Sequence, residues 1–162
     1  MAKWTASKKF DAYIGKLEQL RDEGQEIIGE AIYDGADIVA DSVRLQINGL
    51  RVAQKYAKPG EEISTITSVQ KKGLRDGFGI SKMRKDGNLY NVKIGFAGYN
   101  GQKTKAHPNG VPNSVIARAL VSGTSFRAKN DFVGRGVNAA RKKAEKAIEK
   151  KFDERVKNIS WN

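Results

Sequence analysis

Apolar residues recur at helical spacing in the N-terminal third of the chain. The spacing predicts a first helix over about residues 9–20 and a second helix over about residues 25–47, with Gly24 between them. The apolar line of the second helix follows a period close to 3.6 residues and consists of Ile28, Ile32, Gly35/Ala36, Val39, Val43 and Ile47. Asn48-Gly49 is a typical helix stop, so we expect this helix to end there.

Strict alternation replaces the helical period after residue 89. Tyr90, Val92, Ile94 and Phe96 occupy every second position, which places all four on one face of a strand. Asp86-Gly87-Asn88 precedes this strand, and Asp-Gly between two apolar-patterned runs predicts a tight hairpin, because glycine accepts the positive φ that the turn requires. The partner strand would cover about residues 78–84, in a sheet that is covered on one side.

A last helical pattern runs from about Phe132 to Ile159. Its apolar stripe consists of Val133, Val137, Ala140, Ala144, Ile148, Phe152, Val156 and Ile159. Residues 133–162 carry nine Lys+Arg and four Asp+Glu, so this helix is strongly basic. Before it we expect a short helix that is capped by Asn113 or Ser114 and ends at Gly123, between polar loops at about 97–113 and 124–131.

Together these patterns predict one α+β domain over residues 1–162. A long N-terminal helix and a basic C-terminal helix would pack on a small antiparallel sheet built around the central hairpin. The predicted core residues are those that face inward in this arrangement: Val39, Val43, Tyr90, Val92, Ile94, Phe96, Ile148 and Phe152. Residues 63–72 are ambiguous, because their β-branched content favours a strand while their apolar spacing of three fits a helical turn.

Charge is distributed unevenly along the chain. The net charge is +12; residues 1–50 contain six basic and nine acidic side chains, a net −3, and residues 51–162 carry a net +15. Such polarity can order subunits head to tail or offer a basic face to phosphate or to an acidic protein. It also fits a solvated surface without a specific partner.

Reactive side chains are scarce. The sequence has no cysteine and one histidine, His107, which lies in a polar loop, so disulfides, thiolate ligands and a histidine-based zinc site are not expected. Gly77-Phe78-Gly79 lacks the third glycine of a dinucleotide-binding loop. We therefore predict no enzymatic activity, no catalytic residue, no cofactor, no metal and no small-molecule substrate. No apolar run is long enough to span a bilayer, so no membrane contact is expected.

Four carboxylates of the second helix line one helical face, at spacings of four, three and four: Glu30, Asp34, Asp37 and Asp41. A carboxylate pair can bind a hard cation, but the position of this face opposite the Ile/Val stripe favours a solvated surface. It can also serve as an acidic contact for a neighbouring subunit's basic helix. The last helix offers the matching candidates Arg135, Arg141 and Lys142, which can equally grip a nucleic-acid backbone.

The order of motifs along the chain resembles the neck or tail-completion proteins of long-tailed bacteriophages. The resemblance covers about residues 10–155 and rests on the long N-terminal helix, Gly73-Leu74-Arg75-Asp76-Gly77-Phe78, the hairpin, Gly95-Phe96-Ala97-Gly98-Tyr99-Asn100, Ile116-Ala117, Ser122-Gly123-Thr124-Ser125, Phe132 and the basic last helix. In that family the segment after Gly123-Thr124 carries a phenylalanine motif rich in proline and arginine. Here residues 130–136 keep the phenylalanine and the arginine and lack the prolines.

This resemblance implies a structural virion protein without enzymatic activity. The subunit would join head to tail or complete the tail, assembling as a ring around the DNA channel. Its partners would be copies of itself and the neighbouring head-closure and tail-terminator or tail-tube proteins, with at most weak contact to the DNA backbone. It would be made in the host cytoplasm and reside in the virion. The alternative is a basic nucleic-acid-binding protein that acts alone.

Overall fold

The computed structural model describes residues 8–53, 62–86 and 89–157, and within these ranges it leaves out the side chains of residues 8–20, 89 and 156. The elements in chain order are α1 (Lys8–Asn48), α2 (Ser68–Gly77), β1 (Phe78–Ile80), β2 (Arg84–Asp86), β3 (Leu89–Asn91), β4 (Ile94–Phe96), α3 (Asn113–Ser122) and α4 (Phe132–Lys157). The long N-terminal helix, the C-terminal helix and the small antiparallel sheets confirm the predicted α+β class.

The N-terminal region forms one helix, where the sequence pattern predicts two. α1 is 41 residues long and passes through Gly24 without interruption. A glycine inside a helix costs about 1 kcal/mol relative to alanine, which is too little to break a helix whose length packs against other elements. The predicted stop is confirmed, because α1 ends at Asn48 and the Gly49 N–H donates to the Leu45 carbonyl (3.1 Å).

α1 and α4 form an antiparallel pair with close backbone approach. A Cβ atom at Gly136 of α4 would lie 2.9 Å from the Cα of Val43, and one at Gly35 of α1 would lie 2.6 Å from Cδ1 of Ile148. The Ser42 hydroxyl donates to the Gly136 carbonyl across the pair (2.8 Å). Because the later part of α1 meets the start of α4, the two helices run in opposite directions.

The hairpin strands pair as predicted, but in two short ladders. Phe78 pairs with Phe96 and Ile80 with Ile94, whereas Arg84 pairs with Asn91 and Asp86 with Leu89. Three residues, 81–83, stand opposite two residues, 92–93, so the first strand carries a bulge that shifts the register by one. Gly87 and Asn88 of the predicted turn lie outside the described residues.

The ambiguous segment before the hairpin contains both kinds of structure. Ile63 and Ile66 form isolated bridges in extended backbone, and α2 then begins after Thr67. The Thr67 hydroxyl accepts from the Gln70 N–H (3.1 Å), and the Gln70 side-chain oxygen accepts from the Thr67 N–H (3.2 Å). This reciprocal capping box starts the helix at a defined residue.

The core is centred on three aromatic rings. The Phe78 and Phe96 rings are 5.0 Å apart, and Phe96 meets Phe132 edge-on at 6.0 Å. The buried residues around them are Ala40, Val43, Ile47, Leu50, Ile66, Leu74, Phe78, Val111, Ile116, Ala117, Leu120 and Phe132. Of the residues that the sequence places in the core, Val43 is fully buried, and Ile94 and Phe96 pack against this cluster while partly exposed.

The other predicted core residues lie nearer the surface. Val39, Tyr90 and Val92 are half-buried, and Ile148 and Phe152 are 36% and 44% exposed. The contact with α1 is displaced around α4 from the centre of the predicted stripe. Ala140 and Ala144 of that stripe are buried, Ile148 lies against Gly35 of α1 at the edge of the contact, and Phe152 is more exposed. The fully buried positions of α4 are Phe132, Gly136, Ala140 and Ala144, whose mostly small side chains allow close approach, so the larger residues stand beside the contact. The predicted stripe residues Val156 and Ile159 lie outside the described side chains.

Candidate interaction surfaces

The acidic face of α1, defined as Glu30, Asp34, Asp37 and Asp41, is partly occupied by the chain's own α4. The Arg155 guanidinium donates to Glu30 (3.3 Å), and the Lys151 ammonium lies 3.6 Å from Asp34 and 3.8 Å from Glu30. The expectation that the whole face serves a neighbouring subunit is therefore corrected. The antiparallel pairing brings the basic end of α4 to the carboxylates near the middle of α1.

The other half of the acidic face is open. Asp41 is exposed and accepts from Arg44 of the same helix (2.7 Å), whose guanidinium also lies 5.7 Å from the centre of the Phe78 ring. Asp37 is exposed and has no ion pair among the described residues. The half-face around Asp37 and Asp41 is therefore available to a partner that carries positive charge.

The ion pairs between α1 and α4 should contribute little to stability. Replacing Glu30 by glutamine removes the carboxylate that Arg155 and Lys151 share, and all of these side chains are 32–40% exposed. We expect a loss of about 0.2–1 kcal/mol in low-salt thermal melts, and no difference from the parent in molar salt, where exposed pairs are screened. A loss that persists unchanged at high salt would show that Glu30 acts through packing instead.

α4 presents a basic ridge, defined as Arg135, Lys142, Lys146, Lys150 and Lys157. Spacings of seven, four, four and seven keep these residues on one side of the helix over about 33 Å. Lys142 and Lys146 are exposed and have no carboxylate partner within the described ranges, while Lys150 pairs with Glu154 (3.7 Å). The ridge is a line of largely uncompensated positive charge.

The three predicted basic interface residues do not share one surface. Arg135 donates to Asn130 (2.7 Å) and Gln46 (3.3 Å), so it ties the start of α4 to the preceding loop and to α1. Arg141 pairs with Glu145 one turn later (3.2 Å) and lies on the side of α4 that carries Val137. Lys142, the next residue, therefore points to a different side and joins the ridge.

A groove of about 440 Å³ lies between α2 and residues 97–101. It is lined by the two helix glycines of the Gly73–Gly77 motif and flanked by the exposed side chains of Val69 and Tyr99. The Asn113 side-chain amide donates to the Ala97 carbonyl (2.8 Å). A Cβ atom at Gly73 would lie 2.5 Å from Oδ1 of Asn113. The glycines thus make room for a buried asparagine that links α2, α3 and the strand exit.

The prediction that Asn113 caps α3 is wrong. The N-cap of α3 is Pro112, which makes no side-chain cap hydrogen bond, and Asn113 is the first helical residue. Its backbone N–H donates to the Gly98 carbonyl (3.0 Å), and its side chain is directed away from α3. Gly123 follows α3 with a φ of 73°, as the predicted C-terminal glycine.

The predicted polar loops have defined internal contacts. In the first loop the Asn100 N–H donates to the Val111 carbonyl (2.9 Å), and the Val111 N–H donates to the Gln102 carbonyl (3.0 Å). Thr104 and His107 exchange two backbone hydrogen bonds of 3.1 Å. In the second loop the Arg127 guanidinium donates to the Thr65 carbonyl (2.7 Å), and burial lowers its pKa below the ordinary value. This arginine anchors the loop to the segment before α2.

The described residues offer neither a metal-binding cluster nor a membrane-spanning helix. No group of three or more His, Asp or Glu side chains there is placed to hold a metal ion. Among the helices described, none combines the length and the apolar character that crossing a bilayer requires. Comparison of the chain with protein-family models, curated proteins and solved structures gives no match. The surfaces themselves are therefore the basis for assigning a function.

Proposed function

We propose that this chain is a structural subunit of the neck of a long-tailed bacteriophage, without enzymatic activity. It would join head to tail or complete the tail as a ring around the DNA channel. Its partners would be copies of itself and the adjacent head-closure and tail-terminator or tail-tube proteins, and its location the virion, after synthesis in the host cytoplasm. The motif order from Gly73 to Phe132 supports this assignment.

The observation that carries the proposal is the display of opposite charge by one helix pair. The open half of the acidic face belongs to α1 and the basic ridge belongs to α4, which packs directly on α1. A ring requires heterologous contacts, in which one patch of a subunit meets a different patch of the next. Two unlike patches on a single packed unit meet that requirement.

The test is to delete the gene from its phage and examine lysates by electron microscopy. We expect DNA-filled heads and separate tails, and joined particles when the chain is supplied from a plasmid. Affinity-labelled chain should then appear at the neck of complemented particles. Fully joined virions that lack the protein would contradict the proposal.

The basic ridge also supports a second candidate, a nucleic-acid-binding protein that acts alone. Lysine and arginine that neutralise backbone phosphates release counterions, so affinity falls steeply with salt and shows no sequence preference. The exposed, uncompensated Lys142 and Lys146 are the groups to which this mode applies.

Replacing both Lys142 and Lys146 by glutamine tests this candidate. If the ridge grips duplex DNA, gel shifts at several salt concentrations should show weaker binding and a salt slope reduced by up to about 2, since each phosphate contact contributes about 0.9. The matched control replaces Lys103 and Lys105, two exposed loop lysines, and should leave the slope unchanged. Equal losses in both double variants would point to bulk charge instead of the ridge.

A further inference from the structure

We propose that the groove between α2 and residues 97–101 receives residues 158–162 of a second copy of this chain as an added β-strand. The proposal rests on the self-assembly in the proposed function and names the two parts of the chain that meet. Residues 158–162, Asn-Ile-Ser-Trp-Asn, lie outside the described residues.

One wall of the groove is an unpaired edge of extended backbone. Tyr99 bridges Pro112 in antiparallel fashion, because its two neighbours share backbone hydrogen bonds of 2.9 and 3.0 Å with the neighbours of Pro112. In such a pair the N–H and C=O of Tyr99 itself point away from residues 111–113. Within the part of the chain that the structure describes, neither these groups nor those of Gly101 make a hydrogen bond. Tyr99 and Gly101 therefore offer donors and acceptors to an additional strand.

The opposite wall is one face of α2, and the groove has exposed apolar side chains beside it. Val69, Lys72 and Asp76 line the groove, at spacings of three and four that place them on the same side of the helix. Val69 is 44% exposed and Tyr99 is 65% exposed. An extended segment that pairs with the edge and carries apolar residues at alternate positions would cover both, which is how strand addition combines affinity with specificity.

The floor of the groove holds further unused hydrogen-bonding groups. Asn100 and Asn113 line the groove and are 5% and 3% exposed. Asn100 Nδ2 and Asn113 Oδ1 have no hydrogen-bond partner among the described residues, whereas buried polar atoms are nearly always paired. Both atoms lie beneath the groove surface, so an incoming strand meets the backbone edge first. A spare donor and a spare acceptor beside that edge favour a polypeptide occupant over an apolar one.

Residues 158–162 have the alternation that this groove selects. Ile159 and Trp161 are separated by one uncharged polar residue and flanked by two more, so an extended backbone places both large apolar side chains on one side. The segment contains no proline, which would remove a ladder hydrogen bond. Residues 1–7 alternate as well, but Trp4 shares its side with two alanines. The groove has two exposed apolar side chains, and residues 158–162 supply one large partner for each.

The segment must come from another copy, because it cannot reach the groove of its own chain. Arg155 near the end of α4 contacts Glu30, whereas α2 ends beside Arg44, whose guanidinium lies 5.7 Å from the centre of the Phe78 ring. Fourteen residues of α1 separate Glu30 from Arg44, about 21 Å at 1.5 Å per residue, and α4 continues away from that end. Residues 158–162 span only about 17 Å when fully extended. Each copy would thus give one strand and receive another at a different place, which is a heterologous contact.

The first test uses tryptophan fluorescence of the full chain with Trp4→Phe, in which Trp161 is the single indole. We expect the emission to shift to shorter wavelength as concentration rises, in step with the mass from analytical ultracentrifugation, because the ring leaves water for the groove. Adding Tyr99→Ser should weaken association by about tenfold or more. The control Val115→Ser, at a helix valine that is 46% exposed and outside the groove, should match the parent. Thermal melts establish that each variant is folded.

Two outcomes of this test would overturn the inference. One is a chain that stays monomeric at its highest attainable concentration. The other is association that leaves the Trp161 emission unchanged, or that Tyr99→Ser and Val115→Ser affect equally.

The second test traps the contact with disulfides, which the cysteine-free sequence makes specific. Gly101→Cys places a thiol at the edge, where an added Cβ would meet only Val69 at an ordinary 3.7 Å. This chain is mixed with affinity-labelled chains that carry one cysteine each, by Ile159→Cys, Ser160→Cys or Trp161→Cys. We expect cross-linked heterodimers whose yield is highest at position 159 or 161, whichever faces Gly101, and lower at 160, because side chains of a strand alternate.

The matched control for the trapping is Gly79→Cys. An added Cβ there meets no atom within 4 Å, so the variant should fold, but Gly79 lies in β1 and does not line the groove. We expect background cross-linking only. Equal yields from Gly101→Cys and Gly79→Cys, or no heterodimer with any of the three segment cysteines, would overturn the inference.

These outcomes separate the inference from the proposed function. If Trp161→Ser chain restores joined particles in the deleted phage as efficiently as the parent, the inserted strand is overturned and the neck assignment stands. If the Gly101 cross-links form but the deleted phage still makes joined virions, the inserted strand is supported and the neck assignment is contradicted.

Discussion

Replacing Phe132 by alanine should lower the free energy of unfolding by about 3–5 kcal/mol. Phe132 begins α4, is fully buried, and meets the Phe96 ring edge-on at 6.0 Å. Its removal leaves a cavity at the junction of α4 with the β1–β4 ladder and α3. The loss also includes the aromatic contact with Phe96, which is worth about 0.5–1.5 kcal/mol beyond the buried area.

The measurement is chemical denaturation followed by circular dichroism, with Phe126→Ala as the matched control. Phe126 is 58% exposed and lies in the loop just before α4, so its truncation should change stability by no more than about 0.5 kcal/mol. A Phe132 variant as stable as the Phe126 variant would mean that the three-ring cluster is not the centre of the core.

The hairpin and the ends of α1 and α3 could be predicted because their signals are local. The alternation of apolar residues and the Asp-Gly turn each involve only a few neighbouring positions. The helix-stop signals are equally local, because each is a glycine directly after the last helical residue, Asn48 or Ser122. The bulge at residues 81–83 could not be predicted, because it adds one residue to a ladder whose register is set by packing on α1. There the Met83 N–H donates to the Tyr33 hydroxyl (2.7 Å).

The buried side of α4 could not be read from hydrophobicity. The predicted stripe contains Ala140 and Ala144 as well as Val137, Ile148 and Phe152, and hydrophobicity alone favours burial of its larger residues. Small residues are buried at this contact because they let the backbones of α1 and α4 approach closely, which increases the dispersion contacts along the whole helix pair. The signals that could have revealed this choice are two glycines at the helix contact, Gly136 of α4 against Val43 and Gly35 of α1 against Ile148.

The pairing of half of the acidic face with α4 could not be predicted from the sequence either. Glu30 and Arg155 are 125 positions apart, and their contact depends on the antiparallel register of α1 and α4. The alignment of Glu30 with Asp34, Asp37 and Asp41 on one face follows from helical spacing alone. Which of them remain open to a partner is a property of the tertiary structure.

The groove beside α2 illustrates the same division between local and tertiary signals. Gly73 and Gly77 stand four residues apart in α2, and the sequence offers no local reason for either. Their role appears only when Asn113, 36 or more positions later, lies across them and donates to the Ala97 carbonyl. The expectation of a capping role for Asn113 failed because its amide serves this tertiary bond.

Alanine at Gly136 and alanine at Gly24 should have opposite effects on stability. Both glycines are inside helices, where alanine is favoured by about 0.5–1 kcal/mol on conformational grounds. A Cβ at Gly24 would meet no atom within 4 Å, so this variant should be more stable by about that amount. The comparison holds the chemical change constant and varies only the space around it.

At position 136 the added methyl group has no such space. Its Cβ would lie 2.9 Å from the Cα and 3.0 Å from the N of Val43, and backbone atoms cannot turn aside as a flexible side chain can. α1 and α4 must separate, which also stretches the Ser42 to Gly136 hydrogen bond (2.8 Å). Overpacking costs about 1–3 kcal/mol, more than the helical gain, so the melting temperature of Gly136→Ala should fall while that of Gly24→Ala rises. If both variants melted higher than the parent, the close contact between α1 and α4 would be refuted, and with it the argument for why Val137, Ile148 and Phe152 stand outside the core.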